Sequence, residues 1–84
     1  GASVHYSIVM PGAVVKKGAV VQYSIVAENA VIEEGAVVGE NPEKVVDLDE
    51  WGVSVIGSGI TIGKDAKVKA KVTVAEDVKG GESV

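Results

Sequence analysis

The chain has no cysteine, no phenylalanine and no arginine, and it has only one tryptophan and two prolines in 84 residues. Without cysteine it cannot form a disulfide framework, and without an apolar run of 18 residues it has no candidate transmembrane helix. We therefore expect no membrane partner and a cytoplasmic location. The net charge of −4 and the absence of arginine argue against a nucleic-acid partner.

Valine is abundant instead, at 19 positions, and much of it falls in a repeat. Residues 4–20 read VHYSIVMPGAVVKKGAV and residues 21–37 read VQYSIVAENAVIEEGAV, with 10 of 17 positions identical. Valine favours pleated strands, where its branched side chain packs well. A repeat this short is below the length of helical-pair or propeller repeats and matches one coil of a β-helix.

A period of six runs inside each repeat: a small residue, any residue, then an aliphatic residue. Because strand side chains alternate between two faces, the small and the aliphatic residue both point inward. Three such steps make one triangular coil. The pattern predicts an all-β, single-stranded parallel β-helix with the inward aliphatic residues Val9, Val15, Val21, Val26, Ile32, Val38, Ile56, Ile62, Val68 and Val74.

Each corner of the triangle requires a backbone kink, and we expect positive φ three residues after each inward aliphatic residue. Those positions hold Gly12, Gly18, Asn29, Gly35, Gly59, Asp65, Lys71 and Asp77. Seven of the eight are glycine, asparagine or aspartate, which tolerate such a conformation best. The repeat has 17 rather than 18 residues because one corner is shortened, which makes Val21 to Val26 a step of five.

We interpret residues 1–84 as one β-helix domain and as a fragment of a longer enzyme. Its parts are coils at 4–20 and 21–37, a loop excursion at 39–53, coils at 54–79 and a tail at 80–84. The excursion contains a proline and five acidic residues and lacks the period of six. We expect it to leave the prism at a corner, with Trp51 packed back against a face.

Two stacking registers are open after the excursion. In the first, the loop bulges from a corner, Ile56 joins the face that holds Val26, and Lys64 lies near Glu34. In the second, Ile56 lies on Val38. We favour the first register, because the proline and the acidic residues of the loop suit no inward position.

Charge supports the register of the first two coils. Stacked coils lie about 4.8 Å apart, so equivalent residues form ladders. The 17-residue repeat places Lys16 and Lys17 over Glu33 and Glu34. Opposite charges at directly neighbouring positions are favourable.

The outward positions of the first two coils are apolar; they hold Ile8, Val14, Val20, Ile25, Val31 and Val37. A monomer rarely exposes an apolar surface of this size. In the last coils the same positions hold the more polar set Val55, Thr61, Lys67 and Thr73. We therefore predict that a partner covers the first two coils and that the free chain self-associates. Tyr6 and Tyr23 should stack outside one corner, either as a docking patch or as a structural pair.

We predict no catalytic, cofactor-binding or metal-binding residue in the chain. His5 is the only histidine and a candidate general base. It stands in the first coil with Gln22 as its repeat partner, so we interpret it as an outward surface residue. One histidine also cannot supply the three protein ligands typical of a catalytic zinc site. Gly57-Ser58-Gly59 is a corner rather than a phosphate loop, since no Lys-Ser/Thr pair follows it. The basic cluster is a solvated face, with an anion site as the alternative; it comprises Lys64, Lys67, Lys69 and Lys71.

Three segments resemble the C-terminal β-helix of bacterial glucose-1-phosphate adenylyltransferase, also called ADP-glucose pyrophosphorylase. They are HYSIVMPGAVV, YSIVAENAVIEEGAVVGE and WGVSVIGSGITIGKDAKV. The resemblance covers nearly the whole chain and implies a left-handed β-helix of hexapeptide repeats. Handedness rests on the resemblance alone, because the general rule for parallel crossovers favours the right hand.

The resemblance also implies a function. In that family an N-terminal domain uses ATP and Mg²⁺ to convert glucose 1-phosphate into ADP-glucose and pyrophosphate for glycogen synthesis. The β-helix packs on that domain, joins subunits into tetramers and takes part in allosteric control by phosphorylated effectors. It therefore implies a non-catalytic assembly and regulatory domain, with ATP and Mg²⁺ bound elsewhere in the parent enzyme. The alternatives are the β-helix of another sugar nucleotidyltransferase and that of a hexapeptide acyltransferase.

Overall fold

Short parallel strands wind into stacked triangular coils, as the repeat predicts. The computed structural model describes residues 2–41 and 52–84, which form a left-handed parallel β-helix. No part of these ranges forms a membrane-crossing helix. The strands are β1 (Ser3–His5), β2 (Ile8–Val9), β3 (Val14–Val15), β4 (Val20–Gln22), β5 (Ser24–Val26), β6 (Val31–Ile32), β7 (Val37–Val38), β8 (Ser54–Ile56), β9 (Thr61–Ile62), β10 (Lys67–Val68) and β11 (Thr73–Val74).

The strands form three parallel sheets, one on each face of the prism. Face A contains β1, β4, β7 and β10, face B contains β2, β5, β8 and β11, and face C contains β3, β6 and β9. Residues after β11 continue the stack. Val78 pairs with Ile62 on face C, and Ser83, in the segment we described as a tail, pairs with Lys67 on face A.

The aliphatic residues of the period of six fill the interior. Eight of the ten predicted inward residues are buried, and the small residues beside them, such as Ala30 and Ala66, are fully buried too. The two exceptions lie in the first coil, where Val15 is partly buried and Val9 is 38% exposed. The prediction is confirmed for all the inward residues from the second coil onward.

Positive φ marks the corners, at seven of the eight predicted positions. The prediction of positive φ at Asp77 is wrong. Asp77 has no positive φ, and its Oδ1 instead accepts a hydrogen bond of 2.8 Å from the Thr61 backbone N–H, so a side-chain contact holds this last corner. Positive φ occurs unexpectedly at Tyr6 (47°) and Tyr23 (48°). Both lie at the shortened corner, and in the second coil Tyr23 alone separates β4 from β5.

The favoured register after the excursion is confirmed. Val26 pairs with Ile56 and Ser24 with Ser54, so β8 lies on β5. The Asp65 N–H donates to the Glu34 carbonyl at 3.0 Å, which places Lys64 next to Glu34 along this ladder. The excursion thus starts at the corner between faces A and B. Most of it, with Trp51 and its predicted packing, lies outside the described residues.

The charge ladder between the first two coils is present. Lys16 Nζ forms an ion pair with Glu33 Oε1 at 3.0 Å. Both side chains lie on the surface, and an exposed pair of this kind contributes about 0.2–1 kcal/mol. Its value is mainly that it confirms the 17-residue register.

Gly39 provides a test of the corner at which the excursion begins. Its φ is +85°, and a Cβ there would collide with the Gln22 carbonyl oxygen. Gly59 is the matched control, with φ of +69° and open space around the Cβ position. We expect Gly59→Ala to lower the free energy of unfolding by about 1–2 kcal/mol and Gly39→Ala by about 3 kcal/mol or more. Urea denaturation followed by circular dichroism measures both, and equal losses would contradict the predicted collision.

Candidate functional site

The outward aliphatic residues do not form one surface, and this corrects the sequence-based interpretation. Ile8 pairs with Ile25 on face B, and Val14 pairs with Val31 on face C. The third pair, Val20 and Val37, lies on face A. The reason is geometric: three strands make one coil, so successive outward residues belong to different faces. Each pair forms a short ladder on its own face.

Face B nevertheless has an extended apolar exterior. Every second residue along each strand points outward, and in the first three coils none of these outward residues is charged. We call this surface the apolar face; it comprises Tyr6, Ile8, Met10, Tyr23, Ile25, Ala27, Val53 and Val55. Tyr6 is 81% exposed and Ile8 is 59% exposed. Contiguous exposed apolar side chains of this kind mark interaction sites.

The two tyrosines form one edge of the apolar face. Their ring centroids are 5.0 Å apart with 22° between the ring planes, so the predicted stack is confirmed. Both residues have positive φ, which a bulky side chain rarely adopts. The shortened corner accounts for this conformation, because one residue must make the turn. The exposure of Tyr6, at 81%, is what favours the docking patch over a purely structural pair.

His5 lies on the outside of face A in the first coil and is exposed. Its neighbour in the ladder is Gln22, whose Nε2 donates to the Gly39 carbonyl oxygen at 3.1 Å. Across residues 2–41 and 52–84, histidine and acidic side chains nowhere gather in a group of three that could hold a metal ion. The surroundings of His5 therefore favour its interpretation as a surface residue.

The four lysines of the basic cluster are spread over one face and its two edges. Lys67 and Lys69 border a shallow depression of about 220 Å³ on face A, together with Glu40 and Ser83. Lys64 lies at the corner before β10. Lys71 lies at the corner after it, where its N–H donates to the Gly52 carbonyl at 2.9 Å. Lys67 and Lys69 can attract an anion, but the cluster has no buried polar group that would fix one.

Gly57-Ser58-Gly59 is a corner, as expected. The Gly57 N–H donates to the Val74 carbonyl at 2.9 Å and the Gly59 N–H donates to the Glu28 carbonyl at 3.0 Å. A phosphate-binding loop needs such N–H groups to point at its ligand. Here the neighbouring coils use them, so the segment cannot cradle a phosphate.

Comparison with known proteins supports the same architecture. Residues 1–62, about three quarters of the chain, match the family described as GlmU-like, C-terminal hexapeptide. The chain belongs to this GlmU-like hexapeptide family. No curated protein and no solved structure gives a significant match.

Family membership accounts for the architecture of the site. A hexapeptide-repeat domain places its repeated residues in the interior. In this chain the surface features that interrupt the repeat are the apolar exterior of face B and the shortened corner between faces A and B. The match supports a sugar-nucleotidyltransferase type of β-helix and does not select the adenylyltransferase.

The apolar face leads to a prediction about association. We expect Ile8→Lys with Ile25→Glu to weaken self-association of the chain while leaving the core intact, because charged groups resist burial in an interface. The two new side chains are ladder neighbours and can pair as Lys16 and Glu33 do. Analytical ultracentrifugation measures the association, and circular dichroism measures the fold.

The matched control places the same charges on face C, as Val14→Lys with Val31→Glu. Val14 and Val31 are also ladder neighbours, but their face carries the charged residues Lys16 and Glu33. The control should reduce association much less. Equal effects of the two pairs, or a native chain that remains monomeric at high concentration, would show that the apolar face has no special role.

Proposed function

We propose that the chain is the non-catalytic assembly and regulatory domain of a sugar nucleotidyltransferase, and that this enzyme is glucose-1-phosphate adenylyltransferase. The family match supports the sugar-nucleotidyltransferase type of β-helix. The segments HYSIVMPGAVV and YSIVAENAVIEEGAVVGE support the finer assignment by their resemblance to that enzyme.

The apolar face is the observation that carries the proposal. It spans three coils, includes the strained tyrosine pair and has no charged group. An enzyme site instead requires convergent polar groups, such as a nucleophile with its base or a set of metal ligands. A surface that is flat, apolar and free of such groups is suited to binding another protein surface.

The partners follow from this role. The apolar face would pack against the enzyme's own catalytic domain or another subunit of a tetramer, and ATP and Mg²⁺ would bind in that catalytic domain. A phosphorylated effector would meet Lys67 and Lys69 on face A, which supply positive charge for part of its site. The cytoplasm, where ATP and glucose 1-phosphate are available, is the location that this function requires.

A hexapeptide acyltransferase is the competing function. Its active sites form between neighbouring β-helices and use a histidine as general base. His5 is the sole histidine here, and the structure gives it no acidic partner among the described residues. The two functions predict different coding sequences upstream of Ala2. A nucleotidyltransferase domain there would support our proposal, and further hexapeptide repeats without one would overturn it.

The isolated chain should have no adenylyltransferase activity. Its sequence has no Gly-rich nucleotide-binding loop, and the described residues hold no group of three acidic or histidine side chains for Mg²⁺. Differential stabilisation of a transition state needs such groups. Incubation with ATP, glucose 1-phosphate and Mg²⁺ should release no pyrophosphate above a blank without protein. Pyrophosphate formation that scales with the concentration of the chain would contradict the assignment of a non-catalytic role.

A further inference from the structure

Face B is uneven from one edge to the other. Three ladders of outward residues run along it, parallel to the axis of the prism, and their side chains differ in size. We call the ladder beside the corner between faces A and B the bulky ladder; it comprises Tyr6, Tyr23, Val53 and Lys71. The ladder beside the corner between faces B and C is the small ladder; it comprises Met10, Ala27, Gly57 and Ala75.

The strand register fixes which residues of the two ladders stack. Because β8 lies on β5, Tyr23 and Val53, one residue before these strands, stack at one edge of the face. Ala27 and Gly57, one residue after the strands, stack at the other edge, where the Ala27 N–H donates to the Ile56 carbonyl at 2.9 Å. The contrast in size is therefore present in the second and third coils, which have a neighbouring coil on each side.

The two edges form a ridge and a hollow. At the bulky edge the rings of Tyr6 and Tyr23 stack with their centroids 5.0 Å apart, so their bulk is continuous along the prism. At the small edge Ala27 has one methyl group and Gly57 has no side chain. Between the edges runs a central ladder of intermediate size, formed by Ile8, Ile25, Val55 and Thr73.

A face with a ridge and a hollow is complementary to itself about one direction of two-fold axis. Two flat faces in contact are related by an axis that lies between them. If the axis runs along the prism, the bulky ladder of each copy lies against the small ladder of the other. If the axis runs along the strands, ridge meets ridge and hollow meets hollow, which leaves a gap. Interfaces pack as densely as protein interiors at their centre, so the axis along the prism is favoured.

Polarity and charge favour the same axis. With parallel prisms each coil faces its own equivalent, so the apolar coils lie against apolar coils. Complete overlap of antiparallel prisms would instead place Lys71 and Thr73 of the fourth coil over the apolar first coil. The parallel arrangement also brings Lys71 of one copy to the edge where the other copy has Glu76, just after the small ladder. Opposite charges thus meet at both edges of the contact.

We propose that the partner of the apolar face is a second copy of this chain, bound face B to face B about a two-fold axis parallel to the prism. Tyr23 of each copy then packs over Ala27 and Gly57 of the other, and Ile25 meets its own equivalent on the axis. Such isologous pairs are the commonest form of protein oligomer. The inference names the partner of the apolar face and therefore rests on the assembly role proposed above; it assigns the surface to another subunit rather than to the catalytic domain.

The area of the contact sets the expected affinity. Four coils measure about 19 Å along the prism, and five strand residues measure about 17 Å across the face. A contact of this size buries less than the roughly 1,200 Å² at which stable complexes begin. We therefore expect the isolated chain to form a weak dimer, which is measured at high protein concentration.

Exchange of bulk between the two ladders tests the packing. Tyr23→Ala removes part of the ridge and Ala27→Tyr fills the hollow, so each variant alone should dimerise at least about tenfold more weakly than the native chain. An equimolar mixture should associate nearly as well as the native chain, because both tyrosines of the second variant then lie over alanines of the first. Val14→Ala, a truncation on face C, is the matched control and should leave dimerisation unchanged. Sedimentation velocity measures the association, and circular dichroism checks the fold of every variant.

Disulfide cross-linking tests the direction of the two prisms, because the chain has no cysteine of its own. Lys71→Cys and Ala75→Cys place one thiol on each ladder of the fourth coil, at the margin of the contact. A mixture of the two variants under dissolved oxygen should form a disulfide-linked heterodimer. Either variant alone should form far less linked dimer, since its two cysteines lie on opposite edges of the contact. Adding Ile8→Lys with Ile25→Glu to both variants should remove the cross-link.

The results that overturn the proposal differ from those that bear on the proposed function. Equal cross-linking in the mixture and in the single variants would exclude the parallel two-fold axis. A mixture of Tyr23→Ala and Ala27→Tyr that associates no better than either variant would exclude ridge-in-hollow packing. A native chain that is monomeric at high concentration, or a defined trimer, would exclude the dimer itself. The proposed function is decided separately, by the coding sequence upstream of Ala2.

Discussion

The structure depends on the direct stacking of each coil on the next through parallel backbone ladders, at a spacing of about 4.8 Å. At that distance each side chain packs against the residue at the same position of the neighbouring coil. The residues stacked at one position must therefore fit against each other. Valine and isoleucine meet this condition in the interior. The buried serines meet it by donating to backbone carbonyls: Ser24 Oγ donates to the Gln22 carbonyl and Ser54 Oγ to the Lys69 carbonyl, both at 2.7 Å. At a charged position, opposite charges stack in neighbouring coils, as Lys16 and Glu33 do.

The shortened corner between faces A and B is where this regular stacking is relaxed. In the first two coils it holds Tyr6 and Tyr23 at positive φ, and in the third coil Gly39 follows β7 at the same corner with a φ of +85°. A side chain has no room at Gly39, because the Gln22 carbonyl occupies the space that it would need. The tyrosine stack, Gly39 and one edge of the apolar face are therefore neighbours.

Most of the fold could be predicted from the sequence, because the period of six identifies the residues that point into the interior. The same period also implies that Ile8, Val14 and Val20 lie on three different faces, since three strands make one coil. Other features depend on contacts that no spacing shows. Asp77 holds its corner with a side-chain hydrogen bond, and the tyrosines take positive φ because a five-residue step leaves one residue to make the turn. The favoured register, with Ile56 on Val26, also implied that Val55 stacks on Ile25 and extends the apolar face to the third coil.

The distribution of polarity along the prism connects the fold with its role. A β-helix has no intrinsic limit to its length, so its exposed surfaces determine what it binds and where it stops. On face B the ladder runs from Ile8 through Ile25 and Val55 to Thr73, so its apolar character ends at the fourth coil. On face A the corresponding ladder changes from Val20 and Val37 to Lys67. The proposed assembly role accordingly uses the apolar exterior of the first three coils, and the last coils present a more polar exterior. Since the first three coils and the last coils share one interior, the domain presents two different surfaces on a single core.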